Sequence, residues 1–177
     1  MLYVKFSELM DKIKKYIPED IYYDRNLYSN SDDALKKLDF SRWKEQELVF
    51  DIDSDNIKCL HEKKEIVCED CLREAFTFSL KMGEELEKLG FEKIKIVYSG
   101  KGFHVHILDR KAFLLNKKER EKLIKKFHRF PIDSWVSEGN INLIRLPFSL
   151  NAEVSRKVIP LGKMNFDLEK ALPRFLS

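Results

Sequence analysis

Four groups of residues in this 177-residue chain have the types and spacing to do chemistry. Asp51 and Asp53 flank Ile52 at the end of the run ELVFDID. Side chains alternate faces along a strand, so both carboxylates project to one side while Ile52 points into a core. Two carboxylates roughly 7 Å apart repel each other unless something positive lies between them. A divalent cation suits that place, because hard cations prefer carboxylate oxygen; a solvated strand end shows the same pattern. The second group is the turn Ser99-Gly100-Lys101-Gly102, with His104 and His106 behind it. Glycines let a backbone approach a phosphate, and Ser, Lys and His supply donors for its oxygens; an ordinary hairpin turn uses similar residues. The third is Asp133 ahead of NLIRLPFSLN, residues 142–151, which carries Arg145. The fourth is Cys59-x-His61-x6-Cys68-x2-Cys71, which contains every cysteine of the chain. Three thiolates and an imidazole make a closed tetrahedral Zn²⁺ site, structural because no position is left for substrate. In a reducing compartment this clustering favours metal over disulfide; buried thiols gathered by chance are the alternative.

The elements that would position these groups are legible in the hydrophobic pattern. Leu2, Phe6, Leu9, Ile13, Tyr16 and Ile17 fall at helical spacing, and Pro18 ends the run. Residues 20–41 are polar and tyrosine-rich and read as irregular or partly helical. Residues 47–53 form a strand that finishes in carboxylates. Leu72, Ala75, Phe76, Ser79, Met82, Leu86 and Leu89 repeat at helical spacing, with Gly90 as the cap. KIKIVY and FHVHIL are strands joined by the SGKG turn, and 141–146 and 157–161 are further strands. Strands and helices do not alternate strictly, so the class is α+β in a single domain, residues 1–177.

Charge and composition narrow the function classes. Hydrophobic residues make up 44% of the chain, enough for a packed core and too many for a disordered tail. No run approaches the roughly 20 apolar residues that cross a bilayer, and Lys5, Glu8 and Asp11 break the layout of a signal peptide. A soluble cytoplasmic protein is the expectation. The formal charge of +3 is uneven: residues 110–131 hold nine Lys/Arg against Glu119 and Glu121, a local +7 that leaves −4 elsewhere. This segment reads as one basic helix with Leu123, Ile124 and Phe127 on its apolar side. It is either a polyanion-facing surface or a solvated face.

Taken in order, ELVFDID, the Cys/His element, IVYSGKGFHVHILD and IDSWVSEGNINLIRLPFSLN resemble the catalytic small subunit of archaeal and eukaryotic DNA primases. The resemblance covers residues 47–160. It implies a primase catalytic core, with small mixed sheets forming a cleft flanked by helices and a zinc-binding element at 59–71. It also implies two-metal, template-directed nucleotidyl transfer that makes short RNA or DNA primers on single-stranded DNA. Carried over by position, Asp51, Asp53 and Asp133 would hold Mg²⁺ or Mn²⁺. Ser99, Lys101, His104 and Arg145 would bind the phosphates of an NTP or dNTP. Cys59, His61, Cys68 and Cys71 would hold Zn²⁺, and Lys117, Lys118, Lys122 and Lys125 would contact the template backbone. A primase large subunit is the implied protein partner, and no membrane is involved. The charged-residue content of 36% adds a hint of a thermophilic, archaeal source.

The chain departs from the family pattern at several places. Related primases often have a longer, more basic turn where Lys101 stands alone. Asn142 and Asn151 replace residues that are commonly basic or His, and the interval from His106 to Asp133 is short. These departures suggest a minimal core, compact by nature or part of a longer primase. They also leave two other readings open: a non-catalytic nucleic-acid-binding accessory subunit, or a repair or plasmid polymerase of the same superfamily.

Overall fold

The computed structural model describes residues 2–58, 67–140, 142–162 and 166–173. A short 3-10 turn leads into α1 (Leu9–Tyr16), which ends where Ile17 adopts a left-handed conformation just before Pro18. Then come β1 (Tyr22–Asp24), β2 (Asn26–Tyr28), α2 (Ser31–Lys37), β3 (Trp43–Gln46) and β4 (Leu48–Asp53). The long α3 (Glu69–Lys88) precedes β5 (Ile94–Tyr98) and β6 (Gly102–Ile107). Three helices follow, α4 (Arg110–Phe113), α5 (Lys117–Lys126) and α6 (Ser134–Ser137). The described part closes with β7 (Leu143–Arg145), β8 (Leu150–Asn151), β9 (Arg156–Lys157) and β10 (Ile159–Leu161).

The central sheet has the order β10-β5-β6-β4. Leu48, Phe50 and Ile52 of β4 share one face with Phe103, Val105 and Ile107 of β6, and α3 lies across them with Leu72, Ala75, Met82 and Leu86. Leu89, expected on that apolar stripe, is exposed instead. The helix stops there because Gly90 takes a left-handed φ of 83°. The N–H groups of Gly90 and Phe91 then return to the carbonyls of Glu87 and Leu86, which satisfies the last turn. Phe127, just beyond α5, packs against Phe50 with ring centroids 5.2 Å apart and the rings tilted by 59°. The opposite face of β4 and β6 carries Glu47, Val49, Asp51 and Asp53 against His104 and His106. A second layer covers part of it, with Val136, Ile144 and Tyr23 packed on Val49.

The α+β class is as expected, but the implied mixed sheets are not found. Every strand pair among the described residues is antiparallel, as the three-residue turn between β5 and β6 requires for its own pair. The tyrosine-rich region also holds more strand than expected. β1 pairs with β7 and β2 with β3, and three-residue strands like these depend on distant partners, not on local periodicity. The basic segment is two helices, not one. Asn116 begins α5 with a reciprocal capping box, its side chain accepting from Glu119 N–H and the Glu119 side chain from its own N–H.

Candidate active site

Asp51 and Asp53 lie on the same side of β4, and the register sets Asp51 opposite His104 and Asp53 opposite Gly102. His104 Nε2 is 3.7 Å from Asp51 Oδ1. Asp133 joins them through the backbone, its N–H donating to the Asp51 carbonyl at 2.8 Å. Its Oδ1 caps α6, accepting from Trp135 N–H at 2.8 Å and Val136 N–H at 3.3 Å. Residues 51 and 133, far apart in sequence, are thereby tied to one point.

The Asp51 side chain is only 15% exposed, and its Oδ1 is buried without a hydrogen-bond partner. Burial, then the charges of Asp53 and Asp133, push its carboxyl well above the usual range, against the pull of Arg25 and Arg145. Burial and the charge of Asp55 raise Asp53 as well. His104 moves the other way. Burial, followed by the charges of His106, Arg25 and Arg145, lowers it well below an ordinary imidazole, so at neutral pH it is an uncharged hydrogen-bond donor or acceptor.

The turn is built differently from a bare phosphate loop. Ser99 is buried, and its Oγ accepts from Gly102 N–H at 3.2 Å. A Cβ on Gly102 would sit 2.3 Å from the Ile52 carbonyl oxygen and 2.7 Å from Asp53 Oδ1. Glycine is therefore needed there to make room for β4 and its carboxylate. Gly100 has φ 107° and lies under the Asn151 side chain, whose Nδ2 donates to the Ser99 carbonyl at 2.9 Å. Asn151 thus holds the turn. Lys101 Nζ meets Glu153 Oε1 at 2.9 Å and Asp55 Oδ2 at 3.1 Å. Arg145 pairs with Asp20 and lies 4.7 Å over the Tyr22 ring.

Behind His104 is a buried network that sequence reasoning missed. Glu47 Oε1 accepts from His106 Nδ1 at 2.8 Å and Oε2 from the Tyr23 hydroxyl at 2.7 Å. Burial opposes the charge on Glu47, yet the hydrogen bond from His106 and the nearby Arg25 hold its carboxyl below the usual range. Arg25 itself donates to the Val136 carbonyl at 2.9 Å. Glu47 was legible, since it shares the period-two face of Asp51 and Asp53. Nothing local marked Arg25, Asp20 or Glu153.

The other candidates divide. Lys117, Lys118, Lys122 and Lys125 are exposed on α5, which packs against α6, the helix that Asp133 caps. Arg120 of the same helix is 1% exposed and donates to the Gln46 carbonyl, and burial lowers its pKa to about 10. It belongs to the core and not to a nucleic-acid surface. Cys68 stands just before α3 and Cys71, buried, in its first turn. Cys59 and His61 lie outside the described residues. Among the described residues no group of three His, Cys, Asp or Glu is ready to hold a metal ion, and no helix is long and apolar enough to cross a membrane.

Residues 50–132 match the family described as DNA primase small subunit. The chain is 36% identical over 175 positions to a DNA primase small subunit-like protein of Archaeoglobus fulgidus, covering 88% of this chain and 61% of that relative. It is 36% identical over 126 positions to the DNA primase small subunit PriS of Pyrococcus furiosus, which covers 69% of this chain and 34% of the relative. PriS of Pyrobaculum calidifontis is 27% identical over 213 positions, covering 93% of this chain and 67% of the relative. The chain therefore spans under two thirds of the first two. The matched segment includes the paired aspartates of β4, the turn and His104 on β6, and reaches the edge of the Asp133 connection. On these matches the chain belongs to the DNA primase small-subunit family.

Proposed function

We propose that the chain is a nucleotidyl-transfer core that makes short RNA or DNA primers on a single-stranded DNA template. One observation carries this reading: Asp51, with a partnerless buried oxygen, stands beside Asp53 and Asp133 in mutual repulsion. Among structural arrangements this one is costly unless a cation relieves it, and a carboxylate donor set suits Mg²⁺ or Mn²⁺. Asp51, Asp53 and Asp133 would hold the ions. When bound, two such ions lower the pKa of an attacking 3′-hydroxyl and stabilise the leaving pyrophosphate.

The remaining work falls to the chain's own groups. Lys101 and Arg145 bring positive charge to the triphosphate, and neutral His104 offers a hydrogen bond without charge. Ser99 shapes the turn from within. Zn²⁺ on Cys59, His61, Cys68 and Cys71 would brace the entry to α3. The exposed lysines of α5 would follow the template backbone, and a primase large subunit would complete the assembly.

The test is primer synthesis on a single-stranded template with NTPs or dNTPs and Mg²⁺ or Mn²⁺, with and without a cognate large subunit. Wild type should make product and Asp51→Ala should not; equal synthesis by the two proteins refutes the reading. The pairing of Lys101 and Arg145 with carboxylates favours a second reading, a non-catalytic accessory subunit. Binding of single-stranded DNA or nucleotide with no extension in the assembled complex supports that one.

A further inference from the structure

Both cations assigned to the triphosphate are held by acids from outside the three motifs, and at Lys101 the arrangement has a specific consequence. Glu153 lies in the turn between β8 and β9. Asn151, in the preceding strand, anchors this hairpin on the SGKG turn through its bond to the Ser99 carbonyl and its packing over Gly100. The Glu153 carboxylate is thereby kept within reach of Lys101 Nζ, at 2.9 Å. The side chain is 59% exposed, while that of Lys101 is only 20% exposed. An exposed acid is thus held on a confined cation, which Asp55 also meets at 3.1 Å. The negative charge of Glu153 also reaches Asp53, where it helps to raise the carboxyl. It therefore adds to the charge that an incoming polyphosphate would meet.

We propose that Glu153 sets nucleotide affinity by holding Lys101 until a triphosphate displaces it. This rests on the reading of Lys101 as a phosphate ligand. The opposite role, a carboxylate that aims Lys101 at the phosphate, would use the same contact and has the opposite sign. If Glu153 competes, its neutralisation tightens nucleotide binding; if it aims, neutralisation weakens binding. An exposed ion pair is a modest competitor, so the expected gain is about twofold to fivefold in affinity. It should shrink at high salt, where such a pair is already screened.

The experiment is a calorimetric titration of the whole chain with ATP and with dATP in Mg²⁺, for wild type, Glu153→Gln, Lys101→Met and the double variant. Glu153→Gln should lower Kd about twofold to fivefold at 50 mM salt and less at 500 mM. In the Lys101→Met background most of that gain should disappear, because no Lys101 remains to be released and only the weaker direct repulsion by Glu153 is left to remove. Unchanged or weaker binding by Glu153→Gln, with Lys101→Met weakened, overturns the competitor role and leaves the phosphate assignment standing. If Lys101→Met binds as well as wild type, the phosphate assignment itself falls, and this inference with it.

Discussion

Replacing Asp51 with Asn removes one charge from the acid pair while keeping the side chain's shape. Carboxylates two residues apart on a strand are separated by roughly 7 Å, and at an effective dielectric of about 20 they repel by about 2 kcal/mol. Asp133 adds to this repulsion, while Arg25 and Arg145 offset part of it. A net gain of about 1.5 kcal/mol for metal-free Asp51→Asn at pH 7 follows, a rise in Tm of about 3–6 °C for a chain of this size. The pH dependence has a definite sign. The folded-state pKa of Asp51 lies above its unfolded value of about 3.9, so the native state binds the proton more tightly. The stabilising contribution is full below about pH 3.9 and is lost as pH rises through the folded value. The variant's advantage should therefore open toward pH 7 and close toward pH 4. Millimolar Mg²⁺ or Mn²⁺ should raise the Tm of wild type and leave the variant nearly unmoved. Calorimetric scans across pH in chelator, then in metal, read all of this. A variant less stable than wild type at pH 7 in chelator, or a gap that widens in acid, would refute the electrostatic reasoning.

Two further outcomes separate packing from surface chemistry. Gly102→Ala places a methyl group against the Ile52 carbonyl and the Asp53 backbone, neither of which can rotate away, and should cost about 3 kcal/mol in a denaturant titration. Converting Lys117, Lys118, Lys122 and Lys125 together to Ala should leave the denaturation midpoint nearly unchanged. The same change should flatten the salt dependence of single-stranded DNA binding, with log K against log salt losing about three units of slope.

How far the sequence could be read depended on the range of the interactions involved. Period-two alternation in residues 47–53 was sufficient to put Asp51 and Asp53 on one side and Ile52 on the other, since that follows from backbone geometry alone. Helical spacing found α3, and Gly90 marked its end, because a left-handed residue is a local requirement. Local chemistry was also enough to define the strands around SGKG. It did not show the packing that the glycines also serve. They answer to Asp53 and Asn151, which only the folded chain brings next to them.

Net charge was similarly deceptive in the basic segment. Arg120 counts with its neighbours in the sequence, yet it is withdrawn into the core to satisfy a carbonyl of β3, while the four lysines remain in water. The three-residue strands of the tyrosine-rich region left no periodic trace, since each is held by a partner more than a dozen residues away. The sequence by itself determined which residues could carry the chemistry and on which face of β4 the acids lie. Tertiary structure alone decided that Asp133 hangs from the Asp51 carbonyl, that burial keeps His104 uncharged, and that Lys101 is in the grip of Glu153. Alternation and capping are settled within a few bonds of the backbone, whereas burial and ion pairing depend on which distant segments the fold brings together.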